Sequence, residues 1–259
     1  MIVYAGIAPH PAVSIPEIGK ANSLNLSQTV HAYKQMRQEI YASKAETIVI
    51  ISPHVEAPDD VFSFNQHPDL TISFKQFGDL TSRRTINNNI GLAYQVRQHL
   101  ETSQPTIADD AQYLDYASGI TLYHLLEGLP NCKVMIIGTS AAQTLSQHYD
   151  LGRAIKRQLN NVPERLAVIA TADLSHTATP EQEKENADFD ATILRILEQQ
   201  QTKELLAYQA SQSARVAECG LRPIATLLGI LDQCAYGVRI LSFQRYLGIG
   251  YCLAAYDIR

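Results

Sequence analysis

The segment TIVIISPH, residues 47–54, shows the pattern that decides the fold: a continuous apolar run followed at once by a proline and a histidine. Two further segments end in the same way, IVYAGIAPHP at 2–11 and LAVIATADLSH at 166–176. Apolar runs of about five to eight residues are typical of strands buried on both faces of a parallel sheet. Ligands of open α/β sheets bind at the carboxyl ends of the strands. The sequence therefore predicts that the three histidines of these segments lie along one edge of a buried sheet.

Strand and helix patterns alternate along the whole chain. Strands are predicted at 2–7, 47–52, 134–139, 166–172 and 248–256, with a weaker one at 70–74. Helices are predicted at about 26–43, 88–100, 120–126, 141–159, 181–200 and 221–231. One helix start is marked by a capping box, with Thr179 as N-cap, Pro180 at N1 and Gln182 at N3. The alternation predicts an α/β fold, a single domain over 1–259 with a central mixed, mostly parallel sheet flanked by helices.

Composition narrows the class of protein. The net charge of -5 and the absence of a basic patch argue against a nucleic-acid partner. No apolar window is long enough to span a membrane, and the first residues lack the basic region of a signal peptide. The four cysteines form no CxxC pair, which favours free thiols in a reducing compartment. We therefore expect a cytoplasmic protein without a membrane partner.

His10 and His54 are the strongest candidate metal ligands. Each is preceded by a proline, and prolines restrict the backbone to extended or turn conformations. Such a backbone would hold an imidazole rigidly at the end of a strand. The short-range motifs HExxH and HxH are absent, so a third ligand must come from elsewhere in the chain.

Several residues compete for that third position. The candidate carboxylates stand at helix starts or strand ends: Glu17, Glu56, Asp115, Asp173 and Glu218. Glu218, in the segment AECG, is either a ligand or a first-turn glutamate that complements a helix dipole. Its neighbour Cys219 is a candidate thiolate ligand. His176 can be a fourth ligand, an acid/base group or a capping residue, and Asp173 can orient its ring.

Two histidines and one carboxylate that leave open positions form the facial triad of non-haem Fe(II) oxygenases. In that setting Fe(II) binds an anionic bidentate substrate together with dioxygen. A neighbouring histidine would take the proton that leaves a phenol or catechol hydroxyl.

The chain resembles the LigB-type class III extradiol dioxygenase superfamily, including its Memo-like branch. The resemblance spans nearly the full length and rests on the order and spacing of several motifs. These are AGIAPHP with IPEIG, ISPH, LDYASGITLYHL at 114–125, ADLSH at 172–176, Phe189-Asp190, AECG at 217–220 and the terminal GIGYCLAAYD. It implies a single LigB-like α/β domain, with His10, His54 and Glu218 as metal ligands and His176 as the acid/base group. The implied metal is Fe(II), with Zn(II) as an alternative.

Two positions depart from the ring-cleaving pattern. Tyr116 stands where ring-opening members often carry a histidine, although its phenol could still bind substrate or oxygen. Cys219 directly follows Glu218, and the Memo-like branch has a cysteine in the region of the third ligand. The ligand assignment could therefore shift by one residue.

Three functions follow from these residues. The first is an Fe(II)-dependent extradiol dioxygenase that opens a catechol-type ring with dioxygen, with His176 assisting deprotonation. The second is a Memo-like metal-binding protein without ring cleavage, acting as a homo-oligomer or with a partner protein. The third is a zinc hydrolase that uses the same site. If Glu218 points away while Cys219 approaches the histidines, the second function is favoured over the first. We expect the substrate pocket to be lined by the segment 55–80 and by residues 115–119.

Overall fold

A computed structural model describes residues 1–177, 179, 182–208 and 216–259. Its strands are β1 (Ile2–Ala8), β2 (Thr47–Ser52), β3 (Phe62–Asn65), β4 (Asp69–Ser73), β5 (Arg83–Asn87), β6 (Thr106–Asp109), β7 (Lys133–Gly138), β8 (Leu166–Thr171), β9 (Asp173–His176), β10 (Tyr236–Tyr246) and β11 (Ile249–Ile258). Its α-helices are α1 (Pro16–Gly19), α2 (Ser27–Ala42), α3 (Ile90–Leu100), α4 (Tyr116–Leu125), α5 (Leu145–Leu159), α6 (Glu183–Glu198), α7 (Thr202–Leu206) and α8 (Leu221–Ile230).

Nine of the described strands form one sheet in the order β10-β11-β1-β8-β2-β7-β3-β6, with β9 added beside β11. The centre of this sheet, β1-β8-β2-β7, is entirely parallel. Three strands run the other way: β11, β3 and β6. Strands β4 and β5 pair with each other in a separate two-stranded sheet. The predicted α/β fold with a mixed, mostly parallel sheet is confirmed.

The central strands are buried on both faces, as their unbroken apolar runs predict. Along β2, Val49 and Ile51 belong to a cluster that packs under α3, α5, α6 and α8. Ile48 and Ile50 face the opposite cluster, under α2 and α4. Side chains of a strand alternate between its two faces, so each apolar residue of β2 joins one core or the other. Each fully buried isoleucine contributes about 1.5–3 kcal/mol relative to an exposed one.

Side-chain caps shift two helix starts from their predicted positions. The helix predicted from 141 begins at Leu145, because Thr144 and Gln147 form a reciprocal capping box. The helix predicted from 120 begins earlier, at Tyr116, because the Asp115 carboxylate accepts a hydrogen bond from Ser118 N–H.

The start of α6 differs from the prediction in another way. The α-helix begins at Glu183 with Gln182 as its N-cap, so the predicted N-cap at Thr179 does not cap the α-helix itself. One contact of the capping box is present, since Thr179 N–H donates to Gln182 Oε1 at 3.2 Å. Pro180, predicted at N1, lies outside the described residues.

The run 166–176 is two strands rather than one. Strand β8 runs parallel to β1, whereas β9 turns away and pairs antiparallel with β11. The break falls at Ala172, whose N–H donates to Ala8 O. His176 therefore stands at the end of a separate short strand that pairs with β11, not at the end of the central strand β8.

Candidate metal centre

The loop after β1 carries His10 into the interior. His10 N–H donates to Asp173 Oδ1 at 2.7 Å, and its Nδ1 lies 3.0 Å from Thr171 Oγ1. Burial lowers the pKa of His10 well below its usual value, and the nearby His54 and His176 lower it further. Thr171 thus fixes one ring nitrogen, as is common for histidine ligands, and the other, Nε2, faces the candidate site with Asp173 Oδ2 at 3.3 Å.

Two buried side chains brace this loop from α2 and α4. Tyr33 O–H donates a short hydrogen bond to Pro9 O. Ser14 O–H donates to Pro11 O at 2.7 Å, and Ser14 Oγ lies 2.7 Å from His124 Nε2. The His124 ring stacks on Tyr33 with centroids 4.4 Å apart. The carbonyls on both sides of His10 are thus held by the protein interior.

His54 follows β2 and meets His10 edge to face, with ring centroids 5.1 Å apart. Tyr116 stacks on His54, and its hydroxyl lies 2.8 Å from His54 Nε2. Burial raises the pKa of Tyr116 above its ordinary value. Asp115 fixes both segments, because it caps α4 and accepts Ser52 O–H at 2.8 Å. The phenol therefore sits directly against the second candidate ligand.

Cys219 completes a group with these two histidines. Its Sγ lies 3.5 Å from His10 Nε2, and one ligand atom from each of His10, His54 and Cys219 falls within 4.8 Å of the others. A Cβ on the next residue, Gly220, would stand 2.5 Å from Asp173 O. The absence of a side chain at Gly220 therefore lets the thiol approach the histidine. Burial and the nearby Asp173 raise the pKa of Cys219 well above its usual value.

Asp173 and His176 form a second group around the same thiol. One ligand atom from each of Asp173, His176 and Cys219 also falls within 4.8 Å of the others. Burial raises the pKa of Asp173 to about 7. Burial lowers the pKa of His176, with Asp190 opposing the shift. Among the described residues, the buried Nε2 of His176 has no hydrogen-bond partner, an unmet group that fits a ligand or a proton acceptor here.

Strand β9 is anchored by an ion pair between the buried Asp190 and the half-buried Arg245. Asp190 accepts Ser175 N–H at 3.0 Å and Ser175 O–H at 2.9 Å. Arg245 pairs with Asp190 and also donates to Ser175 Oγ at 2.9 Å. These contacts fix the backbone one residue before His176.

Glu218 does not join either group of ligand atoms in the described part of the chain. Its Oε2 accepts Leu221 N–H at 2.7 Å, the contact of a carboxylate at a helix start. Burial raises the pKa of Glu218, and the hydrogen bond from Leu221 opposes that shift. A role for Glu218 as third ligand would require it to leave this contact, and it stays a prediction.

A cavity of about 500 Å³ opens beside His54. Its lining includes Val55, Glu56 and Gln76 from the segment 55–80, together with Asp115 and Tyr116. The structure therefore brings the two expected lining segments together next to the histidines. Residues 116–119 belong to α4 rather than to a loop.

Comparison with known protein families adds the decisive observation. Residues 4–254 match the family described as the catalytic LigB subunit of aromatic ring-opening dioxygenase. The chain belongs to the LigB family. This membership confirms the superfamily indicated by the sequence motifs.

Two relatives place this LigB chain among known proteins. It is 25% identical to the protein CA_C1420 of Clostridium acetobutylicum over 263 residues, which cover 95% of the chain and 55% of the relative. The chain thus spans about half the length of that relative. The crystal structure of uncharacterized protein JW3007 from Escherichia coli K12 superposes with a TM-score of 0.68 at 12% identity, covering 98% of this chain and 99% of that one. This likeness shows a shared fold.

Several positioning residues of this LigB chain were not found from the sequence. Tyr33 belongs to the apolar stripe of a helix, and Thr171 ends an apolar strand, so neither stands out in the pattern.

Within the described residues, no helix is both long and apolar enough to cross a membrane.

Proposed function

We propose that the protein is a Memo-like metal-binding member of the LigB family that does not open catechol rings. In this proposal His10, His54 and Cys219 hold the ion. The observation that carries it is the approach of Cys219 Sγ to 3.5 Å from His10 Nε2, while Glu218 accepts a hydrogen bond from Leu221 N–H. The thiol faces the histidines and the carboxylate faces the helix.

The donor set fits a mononuclear metal ion. Burial keeps both imidazoles neutral, the state in which they can act as ligands. A thiol bound to a cation loses its proton even where burial favours the protonated form, so metal binding is expected to release that proton. Imidazole and thiolate together suit iron, copper or zinc. We propose Fe(II) as the resident ion, with Zn(II) as the alternative, and a ferrous ion would supply a one-electron redox couple.

The chain's own residues supply the remaining chemistry. His176 has a buried Nε2 without a described partner, and we assign it to accept and return a proton there. Asp173 holds the His10 backbone by the 2.7 Å hydrogen bond from His10 N–H. The Tyr116 phenol lines the cavity and holds His54 through the 2.8 Å hydrogen bond between its hydroxyl and Nε2.

A second candidate is the extradiol dioxygenase, with an aromatic diol and dioxygen as substrates. His176 and the cavity beside His54 favour it, because this chemistry needs a proton acceptor and room for a ring next to the ligands. In this case Glu218 would replace its contact with Leu221 N–H by a contact with the ion.

Metal affinity separates the two ligand sets. We expect Cys219→Ser to weaken Fe(II) binding to anaerobically purified protein by at least about tenfold, with Glu218→Gln close to wild type. The measurement is a competition titration against a coloured chelator, with bound metal checked by elemental analysis. The reverse ranking would refute the thiolate ligand.

Ring cleavage is tested on the same Fe(II)-loaded protein under oxygen. We expect no ring-cleavage absorbance across a panel of catechols. Turnover that disappears in His176→Ala would overturn the proposal and establish the second candidate.

A further inference from the structure

The cavity beside His54 has a one-sided charge. Three of its lining residues are acidic, Glu56, Asp109 and Asp115, whereas none in the described part of the chain is lysine or arginine. The whole chain carries 21 basic and 26 acidic residues, so the cavity departs strongly from the average of the molecule. At about 500 Å³ it has the size of a small-molecule pocket, which is typically about 300–1,000 Å³.

The hydrogen bonds to these carboxylates leave their charge uncompensated. Asp109 accepts hydrogen bonds from Asn65 Nδ2 at 2.9 Å and from Ala111 N–H at 3.0 Å. Asp115 accepts from the Ser52 hydroxyl and from the Ser118 backbone and hydroxyl. All these donors are neutral. They hold the acids in place without adding a positive charge.

Glu56 is the acid free to meet a ligand. It is exposed at the wall of the cavity, and no hydrogen bond or ion pair joins it to another described residue. A carboxylate in this position can pair with a cation without breaking an internal contact. The two hydrogen-bonded carboxylates and the unpaired Glu56 therefore all favour a positively charged ligand.

Two tyrosines supply an aromatic wall. Tyr116 and Tyr113 both line the cavity, and the faces of such rings attract cations. The ring of Tyr113 already has the guanidinium of Arg83 at 5.6 Å from its centroid. Arg83 itself lines a neighbouring cavity rather than this one.

We propose that this cavity selects small ligands with an ammonium or other cationic group and excludes those that carry a carboxylate. The inference deepens the proposed function, because it names the charge of the ligand taken beside the metal centre, and it rests on that function for the ion at His54. The charge selection rests on the side chains of the cavity alone. Like charges placed in contact oppose binding, whereas opposite charges steer and hold a ligand.

Three catechols that differ only in the charge of a short side chain test the inference. Dopamine carries an ammonium, 4-ethylcatechol is neutral, and 3,4-dihydroxyphenylacetate carries a carboxylate. Binding is measured by calorimetry without oxygen, on metal-loaded and on metal-free protein. We expect dopamine to bind at least about tenfold more tightly than the carboxylate, with the neutral probe between them and the ratio shrinking at high salt.

Matched variants locate the selectivity. Glu56→Gln is expected to narrow the dopamine-to-carboxylate ratio by about two- to fivefold, the range of an exposed ion pair. Glu198→Gln makes the same change of charge at the exposed end of α6, outside the cavity, and should leave the ratio unchanged.

The outcomes separate this inference from the proposed metal centre. Equal or tighter binding of the carboxylate probe, or no binding of dopamine at millimolar concentration, overturns the charge selection. If the protein retains no metal and the metal-free form still ranks the probes as expected, the metal centre fails and the charge selection stands.

Discussion

The two ends of the parallel strands have cavities of similar size but different side-chain chemistry. A cavity of about 620 Å³ lies near the amino ends, between the end of α2 and the start of β7. The cavity at the carboxyl ends is smaller, about 500 Å³, yet it is lined by His54, whose ligand atom lies within 4.8 Å of those of His10 and Cys219. The cysteine of the larger cavity, Cys132, is buried, and burial raises the pKa of its thiol to about 11. Converging ligands, not volume, mark the candidate site.

Polar groups at the two ends also differ in what surrounds them. At the amino ends, Asn89 donates to Thr47 Oγ1 and to Glu164, and the terminal ammonium of Met1 donates to Glu164 O. At the carboxyl ends, His176 Nε2 is buried and has no partner among the described residues. A buried group without a partner also occurs at the amino end, Asn88 Oδ1 beside the start of β7, but only His176 lies among candidate ligand atoms. We therefore expect the amino end to serve stability and the carboxyl end, with its candidate ligands, to serve binding.

The largest expected effect comes from adding a methyl group at the carboxyl end. In Gly220→Ala the new Cβ would stand 2.5 Å from Asp173 O, so the backbone before α8 must move and carry Cys219 away from His10. We expect Fe(II) affinity to fall by at least about tenfold. A competition titration gives the dissociation constant, and circular dichroism shows that the variant is folded.

Gly237→Ala is the matched control, because nothing lies within 4 Å of a Cβ there. It should bind the metal as wild type does. Unchanged Fe(II) affinity in folded Gly220→Ala would show that the Cys219 thiol does not hold the ion. The carboxyl ends of the strands would then lose the ligand that sets them apart from the amino ends.

The stable core of the fold was predictable because its strands are continuous apolar runs. The edge strand β10 was not, since the segment 236–246 mixes Arg239, Gln244 and Arg245 with apolar residues and is only half-buried along its length. Such a strand depends on its pairing with β11, which is a long-range contact that local composition does not encode.

The candidate site was predictable only in part, for a similar reason. His10 and His54 follow apolar runs, and the parallel sheet brings their segments together. Which of the side chains of Glu218 and Cys219 faces the histidines depends on the turn before them, where Ala217 adopts a positive φ of 47°. Neighbouring side chains point in different directions, and the rotation set by that turn decides which one faces the histidines. Residue spacing carries no information about such a rotation.

A smaller effect is expected at the amino end, on stability alone. Asn89 caps α3 through its side chain, which accepts Leu92 N–H, and its amide also donates to Thr47 and Glu164. Replacing an N-cap asparagine by alanine costs about 0.5–2 kcal/mol. We expect Asn89→Ala to lower the free energy of unfolding in urea by about 1 kcal/mol or more and to leave Fe(II) affinity unchanged. A weaker metal affinity in this variant would contradict the division of roles between the ends.

The smallest effect is expected away from both cavities, at the ion pairs of Arg239 with Glu39 and Asp257. Burial raises the pKa of Glu39, but hydrogen bonds from Arg239 and Gln35 outweigh it and the net pKa is lowered. A hydrogen bond from Arg239 likewise lowers the pKa of Asp257.

Carboxylates whose pKa is lowered in the folded state stabilise the fold at pH values above their ordinary pKa values of 4.5 and 3.8. This stability is lost as the pH falls through the folded pKa values. Since the pairs are partly exposed to solvent, Arg239→Gln should cost about 1 kcal/mol or less at pH 7 and still less at pH 3, by urea unfolding. A cost that is the same at both pH values would show that Arg239 stabilises the fold by packing rather than by charge.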